Sequence, residues 1–305
     1  VKNKNLKKQI KEIYNKKSIF FFNSDNLKKD KITKIFQKNK IRICAILNKN
    51  KTIINFYEQF KLNKQNQQRK ANLSSKLEVI IMAGGPGERM KPFTNIFPKC
   101  LLPINEETII DKLINNFKNV GINKIFISVN YKKNLIKSYL ASNKDITFLE
   151  ENKQLGTLGS ASLIPKKIIH QNKSIFISNC DTVFDLDIGD LFNHHIKNDN
   201  DLTIVGCNKK LDINYGVLEK NKNHQLINII EKPSKFFLVN TGLYILKMKF
   251  LKKLKKNENV DMDTFINNLL SENKKIGVFE ISSDKWLDVG IWPEYIKTKN
   301  LIENN

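Results

Sequence analysis

The stretch LEVIIMAGGPGERMKPFTNIFPKCLLPI, Leu77 to Ile104, joins an apolar run to a turn holding three glycines in four residues. The whole chain of 305 residues has only 12 glycines, so Gly84, Gly85 and Gly87 are a local concentration rather than a drift of composition. VIIMA reads as a buried strand, since a short unbroken apolar run bounded by turn residues suits a strand covered on both faces. In a parallel α/β sheet, ligands sit at the carboxyl ends of such strands. Glycines there let backbone N–H groups approach an anion with no Cβ in the way. Arg89 follows with a planar guanidinium suited to phosphate oxygens, and Lys99 adds a second cation ten residues on.

Two common phosphate loops fail on spacing. A P-loop requires G-x-x-x-x-G-K-[ST], and no Lys-Ser or Lys-Thr follows these glycines. A dinucleotide fingerprint requires G-x-G-x-x-G, but Gly85-Pro86-Gly87-Glu88-Arg89-Met90 ends on methionine. A tight turn that binds nothing is the plain alternative.

Downstream the chain alternates between strand and helix patterns. TIIDKLINNFKNVG has the spacing of an amphipathic helix that ends at Gly121. KIFISVNY reads as the next strand, NLIKSYLAS as a helix, and ITFLEE and SASLIPKKII continue the alternation. SIFISNCDTVF reads as one strand running into an acidic residue, with the helical DLFNHHIKN after it. Such βα alternation predicts an α/β fold with a doubly wound, mostly parallel, Rossmann-like sheet. DLTIVGC, YGVLEKN, INIIEKP and NTGLYIL are short strands that extend it as a mixed sheet. Residues 1–60 predict a small α/β extension, with a lysine-rich helix over 1–17 and strands in IRICAIL and TIINFYEQF. The polar run KLNKQNQQRKANLSSK predicts a linker over 61–76, which leaves 77–300 as the main domain.

The formal charge of +23 raises nucleic acid as a partner. Only Arg42, Arg69 and Arg89 among the 53 basic residues are arginine, and the lysines are spread along the whole chain. A nucleic-acid surface would instead cluster its charge and interleave aromatics, so a solvated lysine-rich surface with no nucleic acid bound is the expectation. No run approaches the roughly 18 apolar residues of a membrane span. Cys44, Cys100, Cys180 and Cys207 are far apart and form no CxxC pair, which argues against zinc and disulfides and for the reducing cytoplasm.

The glycine stretch strongly resembles the signature of the sugar nucleotidyltransferases, roughly A-G-G-x-G-x-R-[LM]-x-P-x-T followed by P-K-x-L-x-P. Here it stands as Ala83-Gly84-Gly85-Pro86-Gly87-Glu88-Arg89-Met90-Lys91-Pro92-Phe93-Thr94, then Pro98-Lys99-Cys100-Leu101-Leu102-Pro103. Glu88 departs from the usual Ser or Thr, and a carboxylate beside a triphosphate must turn away or be neutralised. The resemblance continues in order through EENKQLGTLGSA, NCD, NYGVLE, IIEKP, VNTG and KWLDVG, and so covers about residues 77–300.

That resemblance implies the nucleotide-diphospho-sugar transferase fold and attack by a sugar 1-phosphate on the α-phosphorus of an NTP, with pyrophosphate leaving. The nucleophile is already an anion, so the task is charge neutralisation and alignment, suited to cations and Mg2+. It implies catalytic roles for Arg89, Lys99 and Asp181, and nucleotide contacts from Ala83, Gly84, Gly85, Gly87, Gly156 and Thr157. Gly216, Glu231, Lys232 and Asn240 take the sugar-phosphate side, and Asp181 and Asp288 the magnesium. By themselves, the two aspartates could equally cap turns, and a Glu-Lys pair before proline is an exposed turn. His194, His195 and Cys180 read as packing or surface residues.

RICAILNKNKTIINFYEQF loosely resembles half of a CBS-domain pair. Such modules precede some guanylyltransferases, so GTP is the favoured nucleotide, with a hexose or amino-hexose 1-phosphate and a homo-oligomer expected. A catalytically silent regulatory subunit is the rival, although Arg89, Lys99, Asp181, Lys232 and Asp288 are all retained.

Overall fold

The computed structural model describes Phe20–Phe22, Ile43–Asn50, Thr52–Glu58, Leu73 and Ser75–Glu303. It divides into two units, Val1–Gln68 and Arg69–Asn305. In the first, β1 (Phe20–Phe22) pairs parallel with β2 (Ile43–Leu47), which pairs antiparallel with β3 (Ile53–Glu58). IRICAIL and TIINFYEQF therefore do hold strands. The helix expected over 1–17 lies outside the described residues, as does the linker expected over 61–76 except at Leu73, Ser75 and Lys76.

The second unit opens on β4 (Leu77–Met82), followed by the short pair β5 (Pro103–Ile104) and β6 (Glu107–Thr108). Helix α1 (Ile109–Asn119) begins at Thr108, whose hydroxyl accepts from the Asp111 N–H while the Asp111 carboxylate accepts from the Thr108 N–H. This reciprocal cap explains why the helix starts there. Then come β7 (Ile125–Val129), α2 (Lys133–Tyr139), β8 (Ile146–Glu150) and the single turn α3 (Gly156–Gly159). SASLIPKKII forms two short 3-10 turns rather than a helix, because Pro165 offers no N–H to continue one.

β9 (Ser174–Asn179) and β10 (Thr182–Phe184) are separate strands, which corrects the single strand expected in SIFISNCDTVF. The chain breaks at Cys180-Asp181 because β10 leaves the main sheet to pair with a later strand. After α4 (Ile188–Lys197) come β11 (Leu202–Asp212), β12 (Val217–Lys220), β13 (Leu226–Ile230) and β14 (Ser234–Lys247). Helix α5 (Met262–Ser271), β15 (Ile276–Ile281), β16 (Trp286–Asp288) and α6 (Trp292–Glu303) complete the unit.

Seven strands form the central sheet in the order β15-β11-β14-β9-β4-β7-β8, and β14 alone runs against its neighbours. Alternate residues of β4 serve two cores. Leu77, Val79 and Ile81 pack with Leu113 and Phe117 of α1 and Leu191 of α4, while Ile80 packs with Leu158, Phe265 and Leu269 on the opposite face. Helices on both faces make the sheet doubly wound, as the alternation predicts, and the carboxyl ends of β4, β7, β8 and β9 open on one side. Among the described residues, no helix is long and apolar enough to cross a membrane.

Candidate active site

The glycine turn sits at the carboxyl end of β4, where the Ala83 N–H donates to the Ser128 backbone oxygen at 3.1 Å. Gly87 holds φ +65, a left-handed conformation that glycine adopts without a Cβ penalty. Its carbonyl accepts from the Thr94 hydroxyl at 2.9 Å, which closes the loop back on itself. Nothing lies within 4 Å of where a Cβ on Gly85 would point, so this face of the loop is open. Glu88 stays on this side of the loop, exposed, with the Lys91 ammonium 3.8 Å away.

The loop borders a cleft of about 550 Å³ whose lining includes Gly84, Gly85, Gly87, Arg89, Lys99, Gly156, Thr157 and Asp181. Eight predicted site residues from three sequence segments thus meet in one place. Lys99 is buried, and its ammonium donates to Asp181 Oδ2 at 2.6 Å. Asp181 is 23% exposed and faces the cleft.

Asp288 reaches the same spot through the sheet. Strand β10 pairs antiparallel with β16, with Thr182 opposite Asp288, and the Val289 N–H donates to the Asp181 carbonyl at 3.0 Å. A Cβ on Gly290 would stand 2.6 Å from Asp288 Oδ1, 3.1 Å from Asp181 Oδ2 and 3.1 Å from Lys99 Nζ. Two carboxylates and an ammonium therefore crowd one point that only glycine leaves free. No group of three or more His, Cys, Asp or Glu side chains among the described residues could hold a metal alone. Two carboxylates still fit magnesium, which typically takes one or two from the protein and the rest from phosphates and water.

The far wall of the cleft is a clamp that sequence reasoning missed. Asp261 stands at the start of α5 yet makes no side-chain cap to that helix. Its Oδ1 instead accepts from the Thr157 N–H at 3.0 Å, while the Thr157 hydroxyl accepts from the Met262 N–H at 2.8 Å. The Leu158 and Gly159 N–H groups both donate to the Val260 carbonyl. A Cβ on Gly156, at φ +76, would stand 2.7 Å from Asp261 Oδ1 and 2.7 Å from the Val260 oxygen. Asn259 and Asp261 line the cleft as a result. An aspartate before a helix reads as an ordinary cap, so nothing in the sequence marked it.

Glu151 was also missed. It is buried, accepts from the Leu155 N–H at 3.1 Å, and lines the cleft beside Gly84. Burial pushes its carboxyl up, partly offset by the Leu155 amide and Ser128. The Cys100 thiol is driven well up by its contact with Cys180 and by burial, which leaves it a protonated packing group. His195 is buried too, between Ser174 at 3.2 Å and Thr203 at 2.9 Å, and burial pulls its pKa down to about 4.

The sugar-phosphate candidates are not brought into the cleft lining. A Cβ on Gly216 would stand 3.1 Å from Glu231 Oε2, which places these two together across the β12–β13 hairpin. Lys232 lies 3.9 Å from Glu231, and both are exposed. Asn240 is nearer: its Oδ1 accepts from the Gly242 N–H at 3.1 Å, and a Cβ on Gly242 would press on Asn179, a cleft residue.

Comparison with known proteins gives this geometry a context. A mannose-1-phosphate guanyltransferase of Pichia angusta is 28% identical over 221 residues, 69% of this chain and 60% of its own length. The bifunctional protein GlmU of Methanococcus maripaludis is 31% identical over 222 residues, 70% of this chain and 51% of its own. The chain thus spans only about half to three fifths of the curated relatives it matches. The crystal structure of HddC from Yersinia pseudotuberculosis superposes with a TM-score of 0.58 at 25% identity, over 74% of this chain and 99% of that one. The family profile described as nucleotidyl transferase matches residues 78–305, from the second residue of β4 through the glycine loop and both aspartates. That match covers well over half of the sequence, and the chain belongs to the nucleotidyl transferase family.

Proposed function

We propose that this chain transfers a nucleotidyl group from an NTP to a sugar 1-phosphate and releases pyrophosphate. The observation that carries the reading is the 2.6 Å contact of Lys99 with Asp181 beneath the open glycine loop, with Asp288 at the same point. In this reading the amides of Gly84, Gly85 and Gly87 cradle the phosphates. Arg89, exposed at the mouth, neutralises the departing pyrophosphate. Lys99 steadies charge on the α-phosphate, and its bond to Asp181 holds the ammonium in place. Gly156 and Thr157, pinned by Asp261, form a shelf for the base and its ribose.

Asp181 and Asp288 would hold magnesium. When bound, the ion would neutralise phosphate charge and help to align attacking and leaving oxygens. Glu231 would accept from sugar hydroxyls, Lys232 would meet the sugar's phosphate, and Gly216 and Asn240 would complete that side.

Guanine is the base we favour, supported by the guanyltransferases among the relatives. The test is pyrophosphate release with magnesium, offering GTP, dTTP, UTP, CTP and ATP in turn against mannose 1-phosphate and glucosamine 1-phosphate. Release with GTP supports the full reading. Release with another nucleotide keeps the reaction and moves the base. No release with any pair would overturn it.

A further inference from the structure

Two segments of the candidate site come from opposite ends of the second unit, and a stack of aromatic rings joins them. The Phe93 ring lies against the Trp292 ring with centroids 4.6 Å apart and an angle of 8° between the planes. Trp292 in turn stacks on Tyr295, at 5.2 Å and 20°. Tyr295 is buried and its hydroxyl donates to the Pro103 carbonyl, which anchors the inner end of the stack. The outer end is open, with Phe93 45% and Trp292 38% exposed. Rings left this accessible gain less from burial than core rings do, so the main product of the contact is a fixed geometry.

Each end of the Phe93–Trp292 contact leads to a group already placed at the cleft. Phe93 opens a short 3-10 turn, Phe93–Asn95. Thr94 follows it, buried, with its hydroxyl on the Gly87 carbonyl at 2.9 Å and its methyl 2.9 Å from where a Cβ on Gly87 would stand. The Tyr131 hydroxyl holds the Thr94 carbonyl at 2.9 Å from another side. A shift of Phe93 is therefore passed to the glycine loop. Trp292 begins α6, two residues after Gly290, the glycine enclosed by Asp288, Asp181 and Lys99.

We propose that Trp292 is a positioning residue, whose stack on Phe93 fixes the glycine loop relative to the Asp288–Gly290 segment and so aligns the phosphates of the NTP with the two aspartates. The proposal deepens the function assigned above and rests on it. In-line transfer needs its groups held to within about half an ångström. Strand β4, which carries the loop, lies in the central sheet, whereas β16 pairs with β10 outside it, so no backbone ladder sets this separation. The Lys99–Asp181 bond is one tie, but a substrate phosphate and a magnesium ion would compete for its two partners. The ring stack carries no charge and competes with neither.

The test is steady-state kinetics of the full chain and of Trp292→Leu, Trp292→Phe, Phe93→Leu and the double variant Phe93→Leu, Trp292→Leu. Trp292→Leu keeps apolar bulk but ends the stack, so kcat should fall at least about tenfold with both KM values within about twofold. Trp292→Phe restores a ring and should recover to within about threefold of the unmodified kcat. The two leucine substitutions break one contact, so the double variant should be no slower than the slower single variant. Additive losses, or an unaltered kcat in Trp292→Leu, would overturn the proposal. So would equal losses in Trp292→Leu and Trp292→Phe that follow their thermal midpoints, the mark of a purely structural role.

A second readout needs no turnover. Trp286 and Trp292 are the two tryptophans of the chain, so their emission follows the stack. GTP added without sugar phosphate should change the emission of the unmodified protein, and Phe93→Leu should weaken that change. GTP bound by equilibrium dialysis with no change in emission would overturn the positioning role alone. No binding of GTP, dTTP, UTP, CTP or ATP would instead remove the function on which it rests.

Discussion

Lys99 Nζ and Asp181 Oδ2, 82 residues apart in sequence, lie 2.6 Å from one another at the edge of the cleft. The pair is shielded on the lysine side, at 8% exposure, and open on the aspartate side. A partly buried ammonium needs a counter-charge when no substrate is present, and the carboxylate supplies it. Asp181→Asn keeps the shape but removes that charge. Turnover should fall at least about 10³-fold by pyrophosphate release, while stability changes by roughly 1–3 kcal/mol. An active variant with added magnesium would remove Asp181 from the reaction.

Gly290→Ala tests the convergence of the two aspartates. The new Cβ would press on Asp288, Asp181 and Lys99 together. Displacement of reacting groups by about an ångström costs on the order of 100-fold in rate, and that is the drop expected in kcat. The thermal midpoint should move less than the rate, because the crowded atoms are the ends of polar side chains rather than backbone.

Asp261→Ala should act on the nucleotide alone. It deletes the acceptor that holds the Thr157 N–H, a loss of about 1–2 kcal/mol. The NTP KM should rise about tenfold and the sugar-phosphate KM stay within about twofold. Equal rises in both would mean that the clamp supports the whole domain rather than the base shelf.

His195 sets an acid limit on stability. Its folded pKa is lowered to about 4, first by burial and then by Lys247, against 6.5 for the free side chain. Well above pH 6.5 neither state holds the proton, so there the ring contributes no pH dependence. As pH falls from 6.5 toward 4, the unfolded chain gains a proton that the folded chain refuses. Stability should therefore drop by up to about 3 kcal/mol across that window. Urea midpoints measured against pH should show this slope, and His195→Gln should flatten it.

The fold was legible because β4 and its loop announce themselves: a buried strand needs an unbroken apolar run, and a phosphate turn needs glycine. Thr108 and Asp111 likewise spell out a helix start. Arg89 and Lys99 stood out as cations close to such a loop, whereas Asp181 was singled out only through the family resemblance, since a strand-end aspartate by itself could equally cap a turn. Asp261 could not, since its carboxylate leaves its own helix for Thr157, 104 residues earlier, and only tertiary structure reveals that choice. The break at Cys180-Asp181 was hidden for a similar reason. TVF looks like more strand, and its partner is β16, more than a hundred residues later.

The most direct test of the account follows the α-phosphate of GTP. Labelled at that position and incubated with magnesium and mannose 1-phosphate or glucosamine 1-phosphate, it should appear in a nucleotide sugar, with one pyrophosphate released per transfer and none without the sugar phosphate. Label remaining in GTP, or released as guanosine monophosphate whether or not sugar phosphate is present, would contradict the account.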